Sequence, residues 1–134
     1  MVNKLKILSD PHCDLKLVRM IFDKISFMRR GFKNDEKIDL NMNVKIAEND
    51  EQKDLFKVTL IVEAIKENEY DIEIQITGFF SVSNSEPDIK NSLLNQNAVA
   101  ILLPYVRSEI SLLTAQPETE CVVIPPFNIK KLME

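Results

Sequence analysis

The chain has 134 residues, a formal net charge of −4 and a 45% share of hydrophobic residues. That length fits one domain over residues 1–134 and can bury roughly two-thirds of the unfolded surface, enough for a core without staples. The acidic balance repels phosphate backbones, which argues against a nucleic-acid partner and favours basic polypeptides. Two glycines leave little room for phosphate-cradling loops.

The N-terminus, MVNKLKILSDPHCDLKL, has no long apolar core and no small-residue cleavage site. No run approaches ~18 consecutive apolar residues. The expectation is a soluble, cytoplasmic protein with no membrane insertion. Cys13 and Cys121 are too far apart to read as a secreted disulfide framework, so both are expected as free thiols.

The first element, Leu17 to Met28, is strand-like with both faces partly apolar. Simple alternation would place Val18, Met20, Phe22 and Met28 on one face. Arg29, Arg30 and Lys33 then read as a basic knot in a solvated loop. Ile38, Leu40, Met42, Val44 and Ile46 alternate with polar residues, the pattern of a half-buried strand. After the charged turn ENDEQKD, Phe56, Val58, Leu60, Val62 and Ala64 repeat the pattern. A hairpin around Glu67, Asn68 and Glu69 leads to Tyr70, Ile72, Ile74, Ile76, Gly78 and Phe80. The opposite face of that strand, Asp71, Glu73, Gln75 and Thr77, reads as solvated. Short connections predict an antiparallel meander of about four strands within residues 17–84.

One apolar sheet face needs one covering layer. The C-terminal third supplies it, with helices within residues 86–116. Ser85 and Asp88 suit a capping box, and Pro87 suits an early helical position. Asn95 to Asn97 are expected to interrupt or bend the helix. Val99, Leu102, Leu103, Val106, Ile110 and Leu113 form a stripe at helical spacing. Ile101, Tyr105 and Leu112 form a second stripe, which a single sheet leaves without a partner. Subunit association is the economical answer, with these three at the oligomer interface. Pro104 should kink the helix. Pro117 closes it, and an extended tail over 117–134 is expected to end in a short helix from Asn128.

Catalytic signatures are missing. His12 is the single histidine and adjoins Cys13, which suits neither a Ser–His–Asp nor a Cys–His site. One histidine and two distant cysteines make a poor zinc set. No Walker loop, HExxH, GxGxxG or GxSxG occurs. The expectation is a non-enzyme with no cofactor, no metal and no catalytic residue.

Several segments, in order, resemble the SecB family of protein-export chaperones. They are DKISF (23–27), KIDLNMNV (37–44), EIQITGFFSV (73–82), LPYVRSEISLLTAQP (103–117) and PPFNIKKL (125–132). The resemblance implies an α+β fold: a four-stranded antiparallel sheet with C-terminal helices on one face, assembled as a homotetramer, a dimer of dimers. It implies ATP-independent binding of unfolded or precursor polypeptides in hydrophobic grooves, for export through the Sec pathway or for a dedicated client such as an antitoxin. The groove residues it implies are Phe27, Phe32, Tyr70, Phe79, Phe80 and Tyr105. Of these Phe32, within the polar loop RRGFKNDE, is expected to be exposed and to act as a mobile lid. The surface facing the motor protein SecA carries over to Lys24, Met28, Asp71 and Glu73. Lys24 and Met28 stand where the family has acidic residues, and Asp71 where it has an aliphatic one. A charge reversal there costs association rate and affinity. The alternatives are an adaptor using the same fold for one folded partner, and a small-molecule site in the groove.

Overall fold

A computed structural model describes residues 14–83 and 86–126 of the chain. His12, Cys13, Ser85 and the tail beyond Pro126, with the short helix expected from Asn128, lie outside the described residues. The order is β1 (Leu15–Arg29), β2 (Ile38–Glu48), β3 (Leu55–Lys66), β4 (Tyr70–Val82), α1 (Pro87–Ser92), a π-turn (Leu93–Asn97) and α2 (Ala98–Thr114). The four antiparallel strands form one sheet, with α2 packed on one face.

Alternation makes β3 and β4 the middle of that sheet. Phe56, Val58, Leu60, Val62 and Ala64 face α2 from β3. Tyr70, Ile72, Ile74, Ile76, Phe80 and Val82 do so from β4. Each large aliphatic side chain buried there contributes about 1.5–3 kcal/mol. From the helix come Val99, Leu102, Leu103, Val106 and Ile110, buried as their stripe predicts, with Ala98 beside them, while Leu113 at the end of the stripe is half-buried. Gly78 is what lets the layers meet. A Cβ there would lie 2.5 Å from the Phe80 ring and 2.9 Å from Leu102 Cδ2.

Strand order differs from the expected meander. It is β1-β4-β3-β2, so β1 pairs with β4 and not with β2. Residues 30–37 therefore cross the end of the sheet. An extended segment of that length reaches about 26 Å, ample for three strand spacings of ~4.8 Å. Of the expected basic knot, Arg30 and Lys33 do lie in an exposed loop, whereas Arg29 does not. Arg29 ends β1, and Arg30 pairs with Asp71 at 2.9 Å.

The faces of β1 also differ from simple alternation. Register shifts fall between Leu17 and Arg19 and between Phe22 and Lys24. Each extra residue inverts the phase of the strand. Met20 and Phe22 thus face the core opposite Gly78 and Ile76, while Met28 lies opposite Asp71 on the other face. Two bulges explain why neither face of this strand reads as purely apolar.

The helical layer starts one residue later than the expected capping box. Glu86 is the N-cap and makes no side-chain cap bond, and Pro87 is the first helical residue. The π-turn falls where Asn95 to Asn97 were expected to disturb the helix. Helix α2 runs through Pro104, which is exposed, and ends at Thr114, before Pro117. The chain then turns back along α2. Val122 N–H donates to Thr114 Oγ1 at 2.8 Å, Ser111 Oγ donates to Val122 O at 2.7 Å, and Arg107 Nε donates to Ile124 O at 2.8 Å. This extended tail carries Cys121 as an exposed free thiol.

Candidate functional site

One helix cannot cover four strands. It covers β3 and β4 and leaves the apolar side of β2 half open. Leu40 and Ile46 on β2 are 38% and 37% exposed, while Leu60 and Ile76 in the middle strands are fully buried. The gap is a cleft of roughly 400 Å³. Leu40, Met42 and Val44 floor it, Leu103, Val106 and Ile110 wall it, and Ile124 of the returning tail closes one side. Its polar lining is Asn41, Asn43, Asn95 and Arg107. None of these is a nucleophile or a general base at neutral pH, and Arg107 already donates to Ile124 O. The lining suits burial of apolar side chains and gives no purchase for acid–base chemistry. Beside it, β2 is the edge strand among the described residues, and no described strand pairs with its outer backbone groups.

The crossover end of the sheet holds a second cluster. Phe27 packs against Tyr70 with ring centroids 5.1 Å apart, and the Arg29 guanidinium lies 5.6 Å from the centre of the Phe27 ring. Arg29 also donates to Gly31 O at 3.0 Å and to the Thr119 hydroxyl. Burial pushes the Tyr70 phenol up, helped by the nearby Glu69 and Glu120 charges. Phe32 is 87% exposed, as an aromatic in a polar loop was expected to be.

The loop that carries Phe32 is fastened. Arg30 N–H and Gly31 N–H both donate to Glu69 O, at 2.8 and 3.2 Å. Asn34 N–H donates to Glu69 Oε1 at 2.8 Å, and Asn34 Nδ2 donates to Glu67 O at 2.9 Å. Gly31 passes so close to the β3–β4 turn that a Cβ would lie 2.1 Å from Asn68 O. Glu69 is itself fully buried and pairs with Lys66 at 3.0 Å. Burial pushes its carboxyl up. The Asn34 N–H, the Lys66 ammonium and the more distant Arg29 charge outweigh that and hold it below the usual carboxylate range. Sequence reasoning took Glu69 for a turn residue. Nothing in the pattern marks a turn glutamate as buried, because its burial comes from residues 30–34.

The remaining groove candidates do not converge. Phe79 and Phe80 are adjacent in β4, so they point to opposite faces. Phe80 is wholly in the core, opposite Leu17 and Phe56, and Phe79 lies on the outer face between Arg19 and Lys57. Tyr105 is 45% exposed on the outward side of α2, where Leu112 is exposed and Ile101 half-buried.

The outer sheet face does gather Lys24, Met28, Asp71 and Glu73. Lys24 pairs with Glu73 at 2.5 Å and Arg30 with Asp71. The Lys24 hydrogen bond holds the Glu73 carboxyl below its usual range. These acids are neutralised by cations of β1 and its following residue. Among the described residues, no group of three or more His, Cys, Asp or Glu side chains could hold a metal, and no helix is long and apolar enough to cross a membrane.

Comparison with known proteins gives this architecture a family. The model of the preprotein translocase subunit SecB matches residues 19–134. An uncharacterized protein of Methanocaldococcus jannaschii, MJ0357, is 31% identical over 131 residues, covering 92% of this chain and 84% of that one. The protein-export protein SecB of Rickettsia bellii is 26% identical over 99 residues, 71% of this chain and 64% of its own length. Among solved structures, the Mycobacterium tuberculosis SecB-like chaperone Rv1957, in complex with a ChAD peptide from the Rv1956 HigA1 antitoxin, superposes with a TM-score of 0.70. It shares 10% sequence identity, covering 84% of this chain and 86% of that one, and so speaks for the fold. With the family model spanning most of the sequence and the sheet-and-helix fold in agreement, the chain belongs to the SecB family.

Proposed function

We propose that this chain is an ATP-independent holdase chaperone that binds unfolded or precursor polypeptides in the cleft between β2 and α2. The observation that carries this is the half-open apolar flank. Leu40, Met42, Val44, Leu103, Val106 and Ile110 line a cleft with no group suited to catalysis, next to a strand edge that no described strand pairs. An extended client can bury alternate side chains in the cleft while its backbone pairs with β2. Family membership supports a chaperone- and export-related role, and SecB proteins are chaperones rather than enzymes. Phe32, with Phe27 and Tyr70 below it, extends the client surface at the crossover end. The chain works without cofactor in the cytoplasm, on secretory precursors or on a dedicated client. A complex of a related fold with an antitoxin peptide supports the second possibility.

The outward stripe of α2 supports self-association. Tyr105 and Leu112 are 45% and 66% exposed on a helix already buried along its inner side. A tetramer built as a dimer of dimers covers that stripe. SecA as a receiver would meet a face whose Glu73 and Asp71 are already paired with Lys24 and Arg30.

Cleft binding is tested by titrating a permanently unfolded, fluorescently labelled model protein against the wild type and against Leu40→Ser/Met42→Ser. The variant should lose affinity by about tenfold, since a central anchor typically carries more than 1 kcal/mol. Equal affinity in a folded variant would place client binding elsewhere.

A further inference from the structure

Strand register sorts the charges of the outer face in a way that the linear sequence hides. Toward the crossover end stand Asp39, Glu63, Asp71 and Glu73, with Lys24 and Arg30 paired to two of them. Toward the other end the cross-strand rows read Arg19–Phe79–Lys57 and Ile21–Thr77–Thr59–Lys45, with Lys16 one row further out beside Ser81. Directly opposite residues have Cβ atoms about 4.5–5.5 Å apart, so Arg19 and Lys57 flank Phe79 on both sides. Lys16, Arg19, Lys45 and Lys57 are exposed and form no ion pair among the described residues. The nearby acids include Asp14, which accepts from the Ser83 hydroxyl, Asp23, which accepts the Thr77 hydroxyl, and Glu48 and Asp54 at the rim. Apolar surface lies among the cations. Val18 and Ile21 are 56% and 48% exposed, and Val18 and Leu55 line one shallow hollow with Ser81.

We propose that this end of the outer face is a docking surface for an acidic polypeptide segment with spaced apolar side chains. Its acids would meet Lys16, Arg19, Lys45 and Lys57, and its apolar residues would settle on Phe79, Ile21 and Val18. Charge complementarity selects that occupant. A nucleic acid fits less well. Its evenly spaced phosphates would leave Val18 and Ile21 in water, whereas spaced apolar side chains cover them. A second copy fits less well too, because Asp71 and Glu73 at the acidic end are already held by Arg30 and Lys24. The surface is on the opposite side of the sheet from the β2–α2 cleft, so it can be occupied while the cleft holds a client.

The test is fluorescence anisotropy with the full-length chain and three labelled probes. One is a short Asp/Glu-rich peptide with spaced leucines, one the same peptide with Asn and Gln replacing the acids, and one a single-stranded oligonucleotide of equal charge. The acidic peptide should bind best, and its affinity should fall as salt rises through the range where the Debye length shrinks below about 10 Å. Arg19→Glu/Lys57→Glu should weaken it on the order of tenfold or more. Lys24→Ala, at the paired end, should change it by less than about twofold. A neutral unfolded client should bind the double variant as it binds wild type, which separates this surface from the cleft. If circular dichroism shows that the double variant is unfolded, Lys16→Glu/Lys45→Glu replaces it. Preference for the oligonucleotide, equal binding of the amide peptide, or indifference to charge reversal in a folded variant overturns the proposal. So does charge-dependent self-association in the absence of any probe.

Discussion

The middle of the sheet and its β2 flank are built from the same alternating sequence, yet they have opposite fates. In β3 and β4 the inward residues Leu60, Ile74 and Ile76 have no exposure. In β2 the inward residues Leu40 and Ile46 remain more than a third exposed. The difference lies in the partner. Helix α2 is one helix wide and sits over Gly78, Val58 and their neighbours, so it cannot also cover the edge strand. A chain that buries its centre and leaves its flank open has put stability in one place and apolar binding surface in another.

Core truncation should show the contrast most strongly. Ile76→Ala and Leu60→Ala should each cost about 2–5 kcal/mol in chemical denaturation, because the close-packed site collapses poorly. Leu40→Ala should cost less than about 1 kcal/mol, since water already reaches the residue. Comparable losses at Leu40 and Leu60 would erase the distinction between centre and flank.

Glu69→Gln comes next, at on the order of 3 kcal/mol, because it leaves the buried Lys66 ammonium without its counter-charge. The sign of the pH dependence follows from the Glu69 carboxyl being held below its ordinary range. Its stabilisation is fully present above the unfolded pKa and is lost as pH falls through the lower folded value. Wild type should therefore lose stability on acidification through that window, and Glu69→Gln should show a shallower loss. Identical acid profiles would remove Glu69 as the fastening of the crossover loop.

Phe32→Ala separates the two properties. At 87% exposure the ring adds little to stability, so the thermal midpoint should stay within a degree or so. Affinity for unfolded protein should still fall several-fold. A large drop in the midpoint would mean that Phe32 packs within the assembly. The smallest effect belongs to Lys24→Ala. Loss of its exposed pair with Glu73 should leave the denaturation midpoint almost unchanged, and more nearly so as salt is added.

Most of the fold was legible because a half-buried strand writes its period directly. The inward residues of β2, β3 and β4 and the inner stripe of α2 are those the alternation and the helical spacing select. Strand β1 was legible as a strand but not in its faces, since two bulges invert its phase and hide Met20 and Phe22 among outward neighbours. Its place beside β4 was also hidden, because residues 30–37 read equally well as a hairpin loop or as a crossing.

The site was legible in part. Phe32 announced its exposure by standing among charges. The loop around it was expected to be a mobile lid, but four hydrogen bonds from residues 30–34 to Glu67 and Glu69 tie it to the β3–β4 turn. No local signal marks such a latch, since both partners look solvated until the chain crosses itself. Phe79 and Phe80 show the same limit. Their shared aromatic character suggests one groove, and their adjacency in a strand forbids it.

The most direct test of the holdase reading is the aggregation of an unfolded model protein, followed by light scattering without ATP. Wild type at stoichiometric ratio should suppress scattering, and Leu40→Ser/Met42→Ser should suppress it poorly while remaining folded. Full aggregation in the presence of folded wild-type protein would contradict the account.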